Sequence, residues 1–286
     1  MHDVRISSPT KVLFPDDGIT KADLAEHYAR VADRMLPHVI DRPLSLQVYP
    51  GGIHKTGHFL KEIPKYFPDW VARAELPKHG GTVTHIVPKA ADTLQMIAQH
   101  NAITPHVPTA RIDQPDKPDR MIVDFDPADE NPRWDDIQAA AHLAREILSG
   151  AGLEPFVMTS GSRGLHVVVP IRRESVYTDV FAMGKVLATQ MVDAMPDALT
   201  LKFKKEQRGD RIYVDVLRNR KAHTAVAPYA VRARDGAPVA TPIPWDEVDG
   251  VTPTRYTLRD MRPGDDPWAD FAAAAVSPRS AAKRLG

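Results

Sequence analysis

Two aspartates separated by one residue, Asp124 and Asp126, end the apolar run of the segment MIVDFDP. If this run is a β-strand, both carboxylates leave the same face of the sheet, while Phe125 points to the other face. Two carboxylates so placed repel each other unless a cation lies between them, and Mg²⁺ and Mn²⁺ prefer carboxylate oxygen. A pair of such ions can stabilise the attacking and leaving oxygens of a phosphoryl transfer. The alternative is a solvated strand end without a metal.

A third aspartate lies in a second predicted strand, RIYVDVL. Val214 and Val216 share one face of this strand, which leaves Asp215 on the other. A carboxylate on an apolar strand is costly unless it is paired or bound to a metal. Two interpretations stay open for Asp215, namely a metal ligand and an ion pair with an arginine such as Arg211 or Arg218.

Several further side chains could bind phosphate. The segment TSGSRGLHVVVP places Ser160, Arg163 and His166 around a glycine turn between two predicted strands. Such a turn can direct N–H and O–H groups at phosphate, but it is also typical of a plain hairpin. His106, between two prolines, is either a structural hydrogen-bonding residue or a ligand. Arg232, in the predicted strand AVAPYAVRAR, belongs to a solvated face or to a triphosphate clamp.

Alternating helices and strands would position these groups, which predicts an α/β protein. A capping box at Thr20 and Asp23 predicts a helix start. The predicted helices cover about 21–39, 92–101, 134–148 and 180–195. The predicted domains are an N-terminal α/β lobe at 1–112, a second lobe at 113–270 and a frayed tail at 271–286.

Composition narrows the class of protein. A chain of 286 residues that is 43% hydrophobic can bury a substantial core. Its 37 basic and 37 acidic residues cancel, so any binding of nucleic acid must use a local patch. The absence of cysteine excludes disulfides and thiolate metal sites and fits a cytoplasmic protein. No apolar run reaches the roughly 20 residues of a membrane helix.

The segments VDFDP, TSGSRGLHVVVP and DVLRNRKAHTAVAPYAVRAR, in this order, resemble the polymerase domain of bacterial DNA ligase D, in the archaeo-eukaryotic primase superfamily. KVLFP, HFLKEIPKYFPDW and ITPHVP are similar as well, so the resemblance covers about residues 5–260. It implies a primase-polymerase fold of the α/β (α+β) class, with mixed or antiparallel central sheets flanked by helices. The implied activity is template-directed nucleotide addition, with a preference for ribonucleotides, in short-gap filling or non-homologous end joining.

The resemblance also implies roles for individual residues. The carboxylates of a two-metal site that holds Mn²⁺ or Mg²⁺ would be Asp124, Asp126 and Asp215. The nucleotide-binding residues would be Ser160, Arg163, His166, Arg232, His106 and Thr224. The DNA-binding residues would be Lys11 and Lys21 at a 5′-phosphate, Phe59 stacked on template bases and Lys61 on the backbone. The implied partners are gapped or broken DNA, nucleoside triphosphates, Ku and a separate ligase that acts in trans.

The chain departs from the family pattern at some positions. Gln47 and Val48 stand where a basic residue is usual, and Ser8 stands where asparagine is usual. Both changes weaken the implied contacts with a DNA end, whereas Arg163 in place of the common lysine keeps the charge. Two rival functions stay open: a D-x-D glycosyltransferase, which leaves Asp215 unused, and a non-catalytic module that binds DNA ends. Extension of a primer separates polymerase from both.

Overall fold

The computed structural model describes residues 2–128 and 133–286. In these residues the helices are α1 Lys21–Arg30, α2 Ala32–Val39, α3 Ala91–Gln99, α4 Trp134–Gly150, α5 Tyr177–Ala194 and α6 Pro278–Leu285. The strands are β1 Val12–Phe14, β2 Ile19–Thr20, β3 Ser45–Val48, β4 His58–Leu60, β5 Arg73–Lys78, β6 Gly81–Ile86, β7 Ala102–Val107, β8 Arg120–Asp126, β9 Phe156–Thr159, β10 Leu165–Pro170, β11 Leu199–Thr200, β12 Ile212–Asp215, β13 Ala225–Val226 and β14 Pro242–Ile243. None of the described helices combines the length and the apolar surface that crossing a bilayer requires.

The contacts between residues divide the chain into two compact units. The first consists of Met1–Asp113, Thr224–Ala240 and Tyr256–Pro263. The second consists of Gln114–His223, Thr241–Arg255 and Gly264–Gly286. The predicted lobes at 1–112 and 113–270 differ from this division because two later segments return to the first unit. The first of these segments pairs with the first unit through β13 and β7, and the second contacts the first segment through a bridge of Thr257 with Pro238.

The first unit is built on a four-stranded antiparallel sheet in the order β13, β7, β3, β4. Two separate antiparallel pairs, β1 with β2 and β5 with β6, accompany it. The predicted capping box is present, since Asp23 N–H donates to Thr20 Oγ1 and Thr20 N–H donates to Asp23 Oδ2. The single helix predicted over 21–39 is two helices, since α1 ends at Arg30, α2 begins at Ala32, and Val31 between them caps both.

The second unit is built on a six-stranded mixed sheet in the order β11, β12, β8, β10, β9, β14. Only the pairing of β11 with β12 is parallel among these described strands. The helices α4 and α5 contact each other, and they pack against β10 and β8 respectively. The predicted α/β (α+β) class with mixed and antiparallel sheets is confirmed.

Two further local predictions are wrong. The strand predicted for AVAPYAVRAR stops after Val226, because Tyr229 adopts a φ of 66°, which turns the chain. The segment predicted as a frayed tail contains α6, whose Ala281 and Leu285 are buried. These two side chains lie four residues apart on one face of the helix, which explains why it packs.

A buried asparagine completes the hydrogen bonding of β8 where β12 ends. The pairing of the two strands stops at Asp215 opposite Asp124, so Ile122 has no strand partner on that side. Asn219 replaces that partner: its Oδ1 accepts from Ile122 N–H at 2.8 Å and its Nδ2 donates to Ile122 C=O at 2.7 Å. The same Nδ2 lies 3.0 Å from the carbonyl oxygen of Val216. The side-chain amide therefore acts as a substitute peptide group.

We expect Asn219→Leu to lower the free energy of unfolding by about 2–4 kcal/mol, because the buried N–H and C=O of Ile122 lose their partners. Chemical denaturation measures this change. Lys221→Ala is the matched control, since it removes an exposed ion pair with Asp116 from the same segment and should cost less than about 1 kcal/mol. Equal stability of the two variants would contradict the structural role of Asn219.

Candidate active site

Three carboxylates lie on two neighbouring strands of the second unit. Asp124 and Asp126 are on β8, and Asp215 is on β12, directly opposite Asp124 in the strand register. On the other side of β8, His166 of β10 is the register partner of Asp124, and its Nε2 lies 3.3 Å from Asp124 Oδ1. Register partners on adjacent strands point to the same face of the sheet. The structure therefore brings together residues that are about ninety positions apart in the chain.

The environment of Asp215 opposes its ionisation. Burial is the main cause that raises the pKa of Asp215 to about 6, and the negative charge of Asp124 raises it further. The charge of Arg218 and the N–H of Leu217, which donates to Asp215 Oδ1 at 2.7 Å, act in the opposite direction. A divalent cation would favour the ionised form of all three carboxylates. Hard oxygen donors from adjacent strands are the ligands that Mg²⁺ and Mn²⁺ prefer, so the residues fit such ions.

Arginine side chains surround the carboxylates. Arg218 Nε lies 3.5 Å from Asp124 Oδ2 and 3.4 Å from Asp215 Oδ2. Asp126 accepts from Arg163 at 3.2 Å and from Arg208 at 3.0 Å. The ion pair considered for Asp215 thus exists beside the carboxylate cluster. Arg208 was missed from the sequence, because it lies between β11 and β12 in a segment without a recognisable motif.

The glycine turn between β9 and β10 packs directly on β8. Ser160 Oγ accepts hydrogen bonds from the N–H groups of Ser162 at 3.2 Å and Gly164 at 3.1 Å, which fixes the turn. A Cβ atom on Gly164 would lie 2.1 Å from the carbonyl oxygen of Phe125, between the two aspartates of β8. Glycine is therefore required at position 164 by close approach of two backbones. The turn carries Arg163 to Asp126.

Two predicted DNA-binding lysines lie together in the first unit. The backbone N–H of Lys21 donates to the carbonyl oxygen of Lys11 at 2.8 Å. The Lys21 ammonium lies 3.4 Å from Ser7 Oγ and 3.3 Å from the carbonyl oxygen of Gln99. Burial, and then the positive charge of Lys11, lower the pKa of Lys21. An anion placed against these two lysines would relieve their mutual repulsion.

The other residues of the first unit for which a binding role was predicted lie on its four-stranded sheet or in chain segments next to its strands. Phe59 on β4 is 56% exposed, and its ring meets the edge of the His106 ring at a centroid distance of 5.6 Å. Lys61 follows β4 and is exposed, and Thr224 immediately precedes β13. The backbone N–H of Arg232 donates to the carbonyl oxygen of Pro238 at 2.7 Å. Phe59 thus presents an open aromatic face.

A group of possible metal ligands that sequence reasoning missed lies in the loops of the first unit. His54 Nε2 is 3.1 Å from Asp235 Oδ1 and 3.7 Å from Asp16 Oδ2. All three residues are exposed, and one ligand atom from each lies within 4.8 Å of the others. No local pattern reveals this group because each residue belongs to a different loop. Exposed groups of this kind are common on protein surfaces without a metal ion.

Comparisons with known proteins point to one family. Residues 20–268 match the family described as LigD, primase-polymerase domain. The multifunctional non-homologous end joining protein LigD of Mycolicibacterium smegmatis is 32% identical over 247 residues, which are 86% of this chain and 32% of the relative. The protein of the same name from Pseudomonas aeruginosa is 31% identical over 288 residues, 98% of this chain and 34% of the relative. The chain therefore spans about a third of the length of these relatives.

A solved structure is similar over nearly the whole chain. The polymerase domain from Mycobacterium tuberculosis Ligase D in complex with DNA matches with a TM-score of 0.87 and 30% sequence identity. The match covers 96% of this chain and 99% of that one. The resemblance inferred from the sequence motifs is thereby confirmed.

The approach of the glycine turn to β8 gives a test of the site geometry. We expect Gly164→Ala to lower the free energy of unfolding by about 1–3 kcal/mol, since the added methyl group meets backbone that cannot move aside. Gly150→Ala is the control, because a Cβ there meets nothing within 4 Å at the end of α4. The control should be neutral or slightly stabilising. Thermal and chemical unfolding measure the stability of both variants. Equal stability of Gly164→Ala and Gly150→Ala would contradict the close contact.

Proposed function

Because the chain belongs to the LigD primase-polymerase domain family, we propose that it is a metal-dependent nucleotidyltransferase that extends a primer along a DNA template. The observation that carries this proposal is the proximity of three carboxylates. Asp124 and Asp126 lie on β8, and Asp215 lies on the adjacent strand β12, opposite Asp124. A D-x-D glycosyltransferase needs no third carboxylate at Asp215. A non-catalytic module that binds DNA ends needs none of the three.

In the proposed reaction the primer 3′-hydroxyl attacks the α-phosphate of a nucleoside triphosphate, and pyrophosphate leaves. Two Mn²⁺ or Mg²⁺ ions would be held by Asp124, Asp126 and Asp215. These ions would stabilise the negative charge on the attacking and leaving oxygens. His166 lies against Asp124 and would orient that carboxylate. Arg218 contacts both Asp124 and Asp215, so it would keep the two like charges together before substrate arrives.

The glycine turn would bind the triphosphate. Ser160 fixes the turn through two backbone N–H groups, and Arg163 supplies a positive charge at its tip. Arg163 now contacts Asp126 at 3.2 Å, and a triphosphate would offer it a stronger anionic partner. The nucleotide contacts of His106, Arg232 and Thr224, which belong to the first unit, stay predictions from the family resemblance.

Gapped or broken DNA is the proposed template-primer substrate. Lys11 and Lys21 would bind the 5′-phosphate on the downstream side of a gap, which fits their proximity and the lowered pKa of Lys21. Phe59 would stack on template bases, since its ring is exposed, and Lys61 would contact the backbone. Such stacking tolerates any base sequence. A preference for ribonucleotides, and action beside Ku and a separate ligase in non-homologous end joining, complete the proposal.

Primer extension tests the catalytic assignment. We expect Asp215→Asn to reduce extension of a primed, gapped duplex in Mn²⁺ by at least about 100-fold, because a ligand of the charge-stabilising ions is lost. A chelator should abolish extension by the wild-type protein, and added Mn²⁺ should restore it. Asp210→Asn is the matched control, since Asp210 is an exposed aspartate that precedes the same strand. Undiminished extension by a folded Asp215→Asn variant would refute the assignment, and a wild-type protein without extension would refute the function.

The downstream phosphate gives a second test. We expect a 5′-phosphate on the downstream strand to increase the affinity for gapped DNA about tenfold, the gain typical of one charge-assisted contact. Lys11→Ala should remove this gain in affinity. Fluorescence anisotropy on duplexes with and without the phosphate measures the effect. Lys89→Ala serves as control, because Lys89 is an exposed lysine of the same unit that pairs with Asp41. If the phosphate changes affinity equally in wild type and Lys11→Ala, the proposed end site is wrong.

A further inference from the structure

Tyr66 is the exposed member of a cluster of three rings in the first unit, in which each ring contacts the other two. Its side chain has the largest exposed fraction, 67%, of the exposed large hydrophobic residues that the structure describes. Its ring centroid is 5.6 Å from that of Phe67, with 29° between the planes, and 4.9 Å from that of His100. Phe67 is 3% exposed and lies 4.2 Å from His100. Phe67, which is buried, and His100, which is half-buried, therefore hold Tyr66 in place while part of its ring faces solvent.

The ring cluster lies near Lys21, whose positive charge acts on His100. Lys21 Nζ is 3.3 Å from the carbonyl oxygen of Gln99, the residue that precedes His100. Burial, and then the charge of Lys21, lower the pKa of His100, which disfavours a second positive charge beside Lys21. The Gln99 side chain also accepts from Ser7 N–H at 2.8 Å and donates to Ser7 Oγ at 2.7 Å. The cation and the aromatic face thus belong to one structured surface.

This combination selects a particular chemistry. A flat apolar ring next to a partly buried cation suits a ligand that carries a planar aromatic group and a phosphate within one nucleotide of each other. Rigid aromatic residues bind nucleic-acid bases by stacking, with little dependence on the base.

We propose that Tyr66 stacks on the 5′-terminal base of the downstream DNA strand, while Lys21 contacts the 5′-phosphate of that same nucleotide. The inference rests on the proposed function and deepens it, since no base-binding residue has been assigned on this strand. Phe59 is assigned to the template strand and is a separate aromatic face on β4. Tyr66 would add affinity for a strand end through a contact that a bare phosphate cannot make.

The test compares two substrates with three proteins. The substrates are gapped duplexes with a 5′-phosphorylated downstream strand whose terminal nucleotide is either intact or abasic. The proteins are the wild type, Tyr66→Ala and Tyr66→Phe, all as the full chain, with folding checked by chemical denaturation. Affinity is measured by fluorescence anisotropy without nucleoside triphosphates.

On the intact substrate we expect Tyr66→Ala to weaken binding about tenfold, as for the loss of one stacked base, and Tyr66→Phe to retain wild-type affinity within about twofold. On the abasic substrate the three proteins should bind alike, at the weakened level. An equal loss by Tyr66→Ala on both substrates, or no loss on either, would overturn the inference.

These measurements, together with the comparison of gapped duplexes with and without the 5′-phosphate, separate this inference from the proposed function. If the wild-type protein gains affinity from the 5′-phosphate but none from the terminal base, Tyr66 has no stacking role and the proposed end site stands. If the wild-type protein gains nothing from the phosphate, the end site and the role of Tyr66 fail together. Extension of the primer, measured separately, decides the polymerase assignment in either case.

Discussion

The carboxylates of Asp124 and Asp215 face each other across two hydrogen-bonded strands, where burial and the charge of Asp124 both raise the pKa of Asp215. Most features around them reduce this cost. Arg218 contacts both carboxylates, and Arg163 and Arg208 contact Asp126 on the same strand end. Arg208 is buried and hydrogen-bonded to the carbonyl oxygens of Lys202, Asp126 and Phe203, so it is a fixed partner of Asp126. The guanidinium groups of Arg163 and Arg218 are more exposed, and metal ions held by the carboxylates would take over their role of offsetting the negative charge.

Fixed positions require a rigid central strand, and β8 is held along both edges. On one edge β12 pairs with its end, and the amide of Asn219 continues the hydrogen bonding where β12 stops. On the other edge β10 pairs along its length, and the turn at Gly164 packs on the carbonyl of Phe125. A larger residue at 164 or an apolar one at 219 would disturb the same strand from opposite sides. Preorganisation of this kind lets electrostatic groups act without rearrangement during a reaction.

The sequence predicted most of the elements that carry the site, and the limits follow from the range of the interactions. Alternation of apolar residues identified the strands of Asp124 and Asp215 and the faces of their side chains, but a local pattern contains no information about which strands are neighbours. The return of β13 to β7 was missed for the same reason. Arg208 was missed because its contact with Asp126 joins residues 82 positions apart. The order of the motifs supplied this missing information about neighbours, because it indicated a resemblance to a known family.

A chain with 37 basic and 37 acidic residues can prefer DNA ends to continuous duplex if its cations are few and well placed. A terminal phosphate carries about 1.5 to 2 negative charges near neutral pH, whereas an internal phosphodiester carries one. The two lysines that lie together, Lys11 and Lys21, would gain more from the terminal group, because burial has already weakened the hydration of the Lys21 ammonium. The exposed ring of Tyr66 would stack on the terminal base. This contribution would be lost away from the end of the DNA strand. Recognition of a break then depends on local charge density and one aromatic face rather than on net charge.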